Sequence, residues 1–417
     1  MTRIWKWEYY VISNILFATS SAVVTDPSWE LHRKTSGWMK KRWYRVQVLQ
    51  PANISQSESF NPLEGKKTIQ ELTELADEVA GNNVDGSDWF WVSRASFAIF
   101  ICMYVLVRRE KQKDIHMGNV SIMISKIQWW WKEIDVFILN YVDNFFAEKY
   151  KWFIAQDSKT LSNILSSAET ALKPWDDQDL VKLTSTNTID IPALRNEKTI
   201  IYMIIPERNT KYFSFIANLF YSTCFDYCMK NADDNVYWSE RKYKDVSFIL
   251  DEFWNLGKIK NFATNITTLW KYGCSLSLIL QNISQLRKIY WKDDADSIFW
   301  WWVGNKLFLW WCDLEVCEYV EKSLWKNTVQ ETIVDVNWKK QTITVWQPLM
   351  TAPQIRMLRE WEAILISRTK NPVKIKLRSC YKDKSILRMI NTKQIEIKSN
   401  LSCVEVEYID IDNDNKK

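Results

Sequence analysis

Glycine is scarce in this sequence: 8 residues of 417, where an ordinary chain has roughly 7%. Histidine is nearly absent, with only His32 and His116. The eight cysteines are scattered. Cys224 and Cys228 stand one helical turn apart, and Cys312 and Cys317 lack a second ligand pair, which argues against a zinc cluster. No secretory leader is legible, so reduced cytosolic thiols are the expectation. The longest apolar run, Ser96 to Val107, is too short to span a bilayer and predicts a buried helix. The net charge of +5 is too small to indicate nucleic-acid binding by itself. With 47% hydrophobic and 25% charged residues, the chain is neither disordered nor fibrous and can bury a core.

Tryptophan is what the sequence has in excess, at 25 residues. Trp129 to Trp131 and Trp300 to Trp302 are triplets, and each indole carries roughly 150–250 Å² of surface to bury. Trp254 lies between Asp-Glu-Phe and Asn-Leu-Gly, where a glycine is expected. The two imbalances together predict that many of these positions are UGA codons, written as tryptophan but read as glycine by the cell that makes the protein.

Ser21 to Thr25 is a short apolar run closed by Asp26-Pro27, as in a buried parallel strand. Tyr44 to Leu49 alternates and predicts a second strand. From Lys66 to Asn187 the spacing is helical, with stretches at Ile69 to Val79, Phe97 to Val107, Ile134 to Phe146 and Leu161 to Leu172. Strands return at Thr199 to Ile205, Val246 to Leu250, Ser275 to Leu280, Lys306 to Leu309 and Ala363 to Ser367, with a helix from Tyr212 to Met229. Strands alternating with helices predict an α/β fold with a mostly parallel, twisted, doubly wound sheet. The tail from Asn391 is charged and is expected to fray.

The strongest chemical signal is Val246-Ser-Phe-Ile-Leu-Asp-Glu252. An apolar strand ending in two acids has the form of a Walker B element: Asp251 would hold Mg²⁺ through its waters and Glu252 would orient or deprotonate an attacking water. A strand can also end in two solvated acids. Gln281, after the next strand, could sense a γ-phosphate. The matching phosphate loop is expected at Thr2-Arg3-Ile4-Trp5-Lys6-Trp7. Indoles at 5 and 7 would block a backbone N–H cradle; with glycine there, Lys6 becomes the phosphate lysine. The leading glycine of such a loop would precede Met1, so the chain is read as starting within the loop.

With those glycines, the sequence resembles the TraG/TraD-type coupling proteins of type IV secretion and conjugation. Thr2 to Asn14 resembles their Thr-Arg-x-Gly-Lys-Gly loop and following helix, and Val23 to Leu31 their second-strand motif, with Trp29 at a glycine position. Asn61 to Leu63, Asp88 to Trp91, and Ile205 to Glu207 have counterparts. The most specific stretch is Phe248 to Phe262. Leu278 to Leu286, Asn305 to Trp311, Pro348 to Thr351, Glu360 to Ala363 and Lys370 to Pro372 continue it. The resemblance is colinear over residues 2–382.

It implies a RecA-like P-loop NTPase with an inserted all-α domain: motor over 1–65 and 191–385, insert over 66–190, charged tail over 386–417. It implies ATP and Mg²⁺ as cofactors, bound by Thr2, Arg3, Trp5, Lys6, Trp7 and Asp251, with Glu252 and Gln281 catalytic. The implied function is ATP-driven delivery of single-stranded DNA with its relaxase, or of effector proteins, to the secretion channel. The implied setting is a homohexamer at the cytoplasmic face of the inner membrane, in contact with relaxosome and channel proteins. The stretch after Walker B corresponds to the relaxosome-recognising part. The family's amino-terminal membrane helices have no counterpart, so no transmembrane segment is expected in this chain. Trp270, Lys271 and Tyr272 stand where the family often has arginines, which leaves Arg287 as a candidate trans-acting arginine. The alternatives are another RecA-like DNA pump and a truncated remnant without catalysis.

Overall fold

The computed structural model describes residues 6–81, 89–129, 132–230, 242–310, 312–334 and 340–411. Five strands make the central sheet: β1 (Ser21–Asp26), β2 (Arg45–Leu49), β3 (Thr199–Ile204), β4 (Val246–Leu250) and β5 (Cys274–Leu278). All pair in parallel, in the order β2-β3-β1-β4-β5. Every residue of β1 and β3 is buried, because helices cover both sheet faces and leave no polar side to alternate with. Ala22, Val24, Ile200, Tyr202 and Ile249 join one cluster with α1 (Ile12–Leu16) and α2 (Glu30–Lys41). Val23, Ile201, Met203, Phe248 and Leu250 face the opposite way into a larger core.

That larger core is shared with the helical segment between β2 and β3. It comprises α3 (Ile69–Gly81), α4 (Trp89–Arg108), α5 (Met117–Gln128), α6 (Lys132–Tyr141), α7 (Asn144–Ile154), α8 (Ser158–Leu172) and α9 (Gln178–Ser185). The single helix expected over Ile134 to Phe146 is two. Asp143 ends the first run by capping the second, its side chain accepting a hydrogen bond from the Phe146 N–H at 3.0 Å. The apolar run at Ser96 to Val107 is the inner part of a longer helix: α4 has 20 residues and, by length and composition alone, could cross a membrane. Here Ala95 to Leu106 are mostly buried, with Phe97 packed against Phe153 of α7 and Phe100 against Phe146. The helix α10 (Thr210–Lys230) lies between insert and sheet, its Phe220 ring edge-on to Phe60 at 5.5 Å and its Phe225 edge-on to Phe248 at 4.8 Å.

Three expectations need correction. First, the strands at Lys306 to Leu309 and Ala363 to Ser367 do not extend the parallel sheet. As β6 (Asn305–Leu309) and β9 (Glu362–Ser367) they pair antiparallel with each other, and β9 pairs with β10 (Lys370–Lys376). Second, an antiparallel pair, β7 (Lys326–Val334) and β8 (Lys340–Pro348), follows α11 (Leu314–Ser323) where no strand was expected. Third, the tail does not fray at Asn391. After α12 (Lys384–Ile390), which packs on α2, the chain crosses to the insert and buries Leu401, Ile409 and Ile411. Among its described residues, which end at Ile411, the charged ones point outward while these three apolar side chains find pockets. The Ile409 N–H donates to Asn119 Oδ1 at 3.1 Å, and His116 Nε2 pairs with the Glu407 carbonyl at 3.0 Å.

Candidate active site

In an open parallel sheet, ligands meet the carboxyl ends of the strands, where loops diverge and helix starts converge. Here β4 delivers Asp251 and Glu252 to that edge, and both are buried. The Glu252 backbone is left-handed, at φ 48°, which turns the chain sharply and lifts its side chain off the strand line. Its N–H donates to Asp251 Oδ1 at 3.0 Å. Glu252 Oε1 accepts from Gln281 Nε2 at 3.4 Å, and Oε2 accepts from Asn255 Nδ2 at 2.7 Å. Gln281 follows β5, whose neighbouring loop is tied to β4 by the Ile279 N–H donating to the Leu250 carbonyl at 3.1 Å.

The amino-terminal segment meets the same edge. Lys6 Nζ donates to the Leu280 carbonyl at 2.8 Å. The indole N–H of Trp7, which is 6% exposed, donates to Asp251 Oδ2. Thus Lys6, Trp7, Asp251, Glu252 and Gln281, far apart in sequence, meet within one hydrogen-bonded cluster. Thr2, Arg3 and Trp5 lie outside the described residues, as does Trp311.

Burial dominates the electrostatics. It pushes the Asp251 carboxyl up to about 6; the adjacent Glu252 charge adds to the rise, while the Trp7 donor and Lys6 oppose it. At the end of β1, Asp26 is also fully buried and raised to about 6, although it accepts from the N–H groups of His32 and Ser28 at 2.8 and 3.2 Å. The donor set fits a magnesium–nucleotide: an ammonium for phosphate, a carboxylate for a metal-bound water, and a carboxylate–amide pair for an attacking water. Trp7 conflicts with that fit at one point, because its indole occupies an Asp251 oxygen.

Asn255 was not anticipated as part of the site. Its spacing of three from Glu252, within one tight helical turn over Phe253–Leu256, is the signal that could have found it. Arg287, the candidate trans-acting arginine, is engaged within its own chain: its guanidinium donates to Asp296 at 2.7 Å and to both Glu315 oxygens at 2.8 and 2.9 Å. Two basic stretches, Arg33 to Arg42 and Arg108 to Lys113, are partly internal wiring as well. Arg109 pairs with Asp114, Lys113 with Glu407 and Lys34 with Glu30.

Residues 2–402 match the family described as type IV secretory system conjugative DNA transfer. The chain belongs to this family. It is 25% identical over 243 residues to VirD4 of Rhizobium radiobacter, a match covering 56% of this chain and 34% of that protein. It is 22% identical over 310 residues to the conjugal transfer protein TraG of Escherichia coli, covering 69% of this chain and 48% of TraG. The matches therefore span about a third to a half of these relatives' length.

The fold is that of the coupling protein TrwB. The structure of TrwB with the non-hydrolysable ATP analogue ADPNP aligns at a TM-score of 0.66 and 14% identity, covering 88% of this chain and 80% of TrwB. TrwB with ADP and Mg²⁺ aligns at 0.62, covering 86% and 85%. This coupling-protein chain accordingly has a RecA-like core: the parallel sheet carrying the acidic pair.

Proposed function

We propose that this coupling protein is an ATP-hydrolysing motor that drives single-stranded DNA with its attached relaxase, or effector proteins, into a type IV secretion channel. The observation that supports it best is the convergence of Lys6, Asp251, Glu252 and Gln281 on the carboxyl edge of the sheet. In this reading Lys6 binds the phosphates, Asp251 holds a water on Mg²⁺, and Glu252 takes a proton from the attacking water. Asn255 fixes one oxygen of Glu252, while Gln281 orients the other side of the same carboxylate. Bound Mg²⁺ would supply positive charge against the developing phosphate charge. Asp251, raised to about 6, is ionised at cytoplasmic pH and able to do its part. The assembly in this reading is a homohexamer at the cytoplasmic face of the inner membrane, working with relaxosome and channel proteins.

A transfer assay tests the delivery role. Cells carrying Glu252→Gln in the natural full-length protein should lose transfer of a mobilisable plasmid while keeping the protein at its normal level. Unchanged transfer frequency would contradict the reading. A second reading, a partner-binding chain without hydrolysis, draws on Trp7, whose indole holds the Asp251 carboxylate. Calorimetry on Trp7→Gly separates the two: the motor reading predicts at least tenfold tighter binding of ATP with Mg²⁺, the remnant reading no change.

A further inference from the structure

Among the described residues, six that are not glycine have a left-handed backbone, and three of the six are tryptophan: Trp29 at φ 66°, Trp43 at 65° and Trp325 at 67°. Among the described residues, three glycines also have a positive φ: Gly65, Gly257 and Gly273. A bulky side chain in the left-handed region is a genuine outlier, because its Cβ crowds the following carbonyl. The local structure also shows which residue each position wants. Trp43 follows Arg42, the residue that caps the end of α2, its N–H donating to the Lys40 carbonyl and the Tyr44 N–H donating to the Met39 carbonyl, both at 3.0 Å. That bond pair is the Schellman motif, in which the left-handed residue is usually glycine. Trp325 stands just past the end of α11, at the equivalent place after Leu324. Trp29 precedes the first residue of α2.

The indoles at 43 and 325 gain little at their places, while that of Trp29 packs against the α1–α2 core cluster. Trp43 is 90% exposed and Trp325 78%, whereas tryptophan is highly buried on average. Trp29 lies with its ring 4.8 Å from that of His32, whose two buried nitrogens find no hydrogen-bond partner among the described residues. Trp175 shows what a fitting tryptophan looks like in this fold. It is buried, its indole N–H donates to Thr184 Oγ1 at 3.0 Å, and its ring meets Phe215 edge-on at 5.3 Å. The other three left-handed residues differ: Asn261 is a type that tolerates the conformation, Glu252 belongs to the site, and Glu110, at φ 57° just past α4, is an exposed charged residue.

We infer that positions 29, 43 and 325 are glycine in the protein as its own cell makes it, a UGA codon being decoded there as glycine, while Trp175 is tryptophan. The inference stands on backbone geometry and does not draw on the nucleotide site. Peptide mass spectrometry on protein from its natural source, read beside the gene, tests it. Glycine masses and UGA codons at 29, 43 and 325, with tryptophan and UGG at 175, are expected. Tryptophan in those three peptides, or UGG at the three codons, would overturn it. Melting gives an independent reading on recombinant chain made with the standard code. The double variant Trp43→Gly/Trp325→Gly removes only exposed indoles and should melt higher by about 2 °C or more. A lower melting temperature would overturn the inference at those two positions.

Discussion

At the scale of single residues, the acidic pair was readable because it closes an apolar strand, and Gln281 because it follows the next one. Asn255 was not, since its value lies in a hydrogen bond to Glu252 that only the tight turn creates. Removing that bond, in Asn255→Ala, should lower kcat on the order of tenfold with nucleotide affinity unchanged, because the carboxylate stays present but loses its fixed orientation. Steady-state kinetics beside calorimetry would show the split; a change in affinity alone would contradict a positioning role. The left-handed tryptophans at 43 and 325 were likewise hidden. Neighbouring residues reveal a motif glycine such as the one at 29, but a helix end is known only once the helix is built. Of the tryptophans at motif glycine positions, Trp254 has an ordinary backbone and a buried indole N–H with no acceptor among the described residues, so packing rather than φ marks it.

At the scale of elements, the joint between insert and motor is Glu78 of α3 against Ser222 of α10, whose hydroxyl donates to Glu78 Oε1 at 2.7 Å. Burial pushes this carboxyl up to about 7 from an ordinary 4.5. The folded protein thus holds a proton that the unfolded chain releases near 4.5. The stabilising contribution is fully present below that pH and is lost as pH rises through about 7. Glu78→Gln keeps an acceptor for Ser222 and carries no charge. Denaturant titrations should find the variant more stable than the parent at pH 8 by about 2 kcal/mol and nearly equal at pH 4. Equal stabilities at both values would contradict the burial argument. The helical periodicity that located the insert carried no information about this joint, which depends on which faces meet. For the same reason β6 and β9 were legible as strands, but their partners were not: a short apolar run fits a parallel or an antiparallel neighbour equally well.

At the scale of the whole molecule, colinear motifs were legible over nearly the full chain, and the parallel sheet with its helical insert follows from them. The tail was misjudged because charge dominates its composition while Leu401, Ile409 and Ile411 supply the packing. It ties the motor, through α12 on α2, to the insert at His116 and Asn119. Ending the chain after Cys403 removes two buried isoleucines and the Asn119 bond, and should destabilise the protein by about 3 kcal/mol. Amide exchange should quicken in α5 first; unchanged exchange there would contradict the strap. Turnover in this reading belongs to the assembled site. The most direct measurement is ATP hydrolysis by the natural full-length protein beside its Glu252→Gln variant, with nucleotide binding measured on both. Hydrolysis by the first, its loss of at least a hundredfold in the second, and equal binding are predicted. Equal hydrolysis rates in the two proteins would contradict the account.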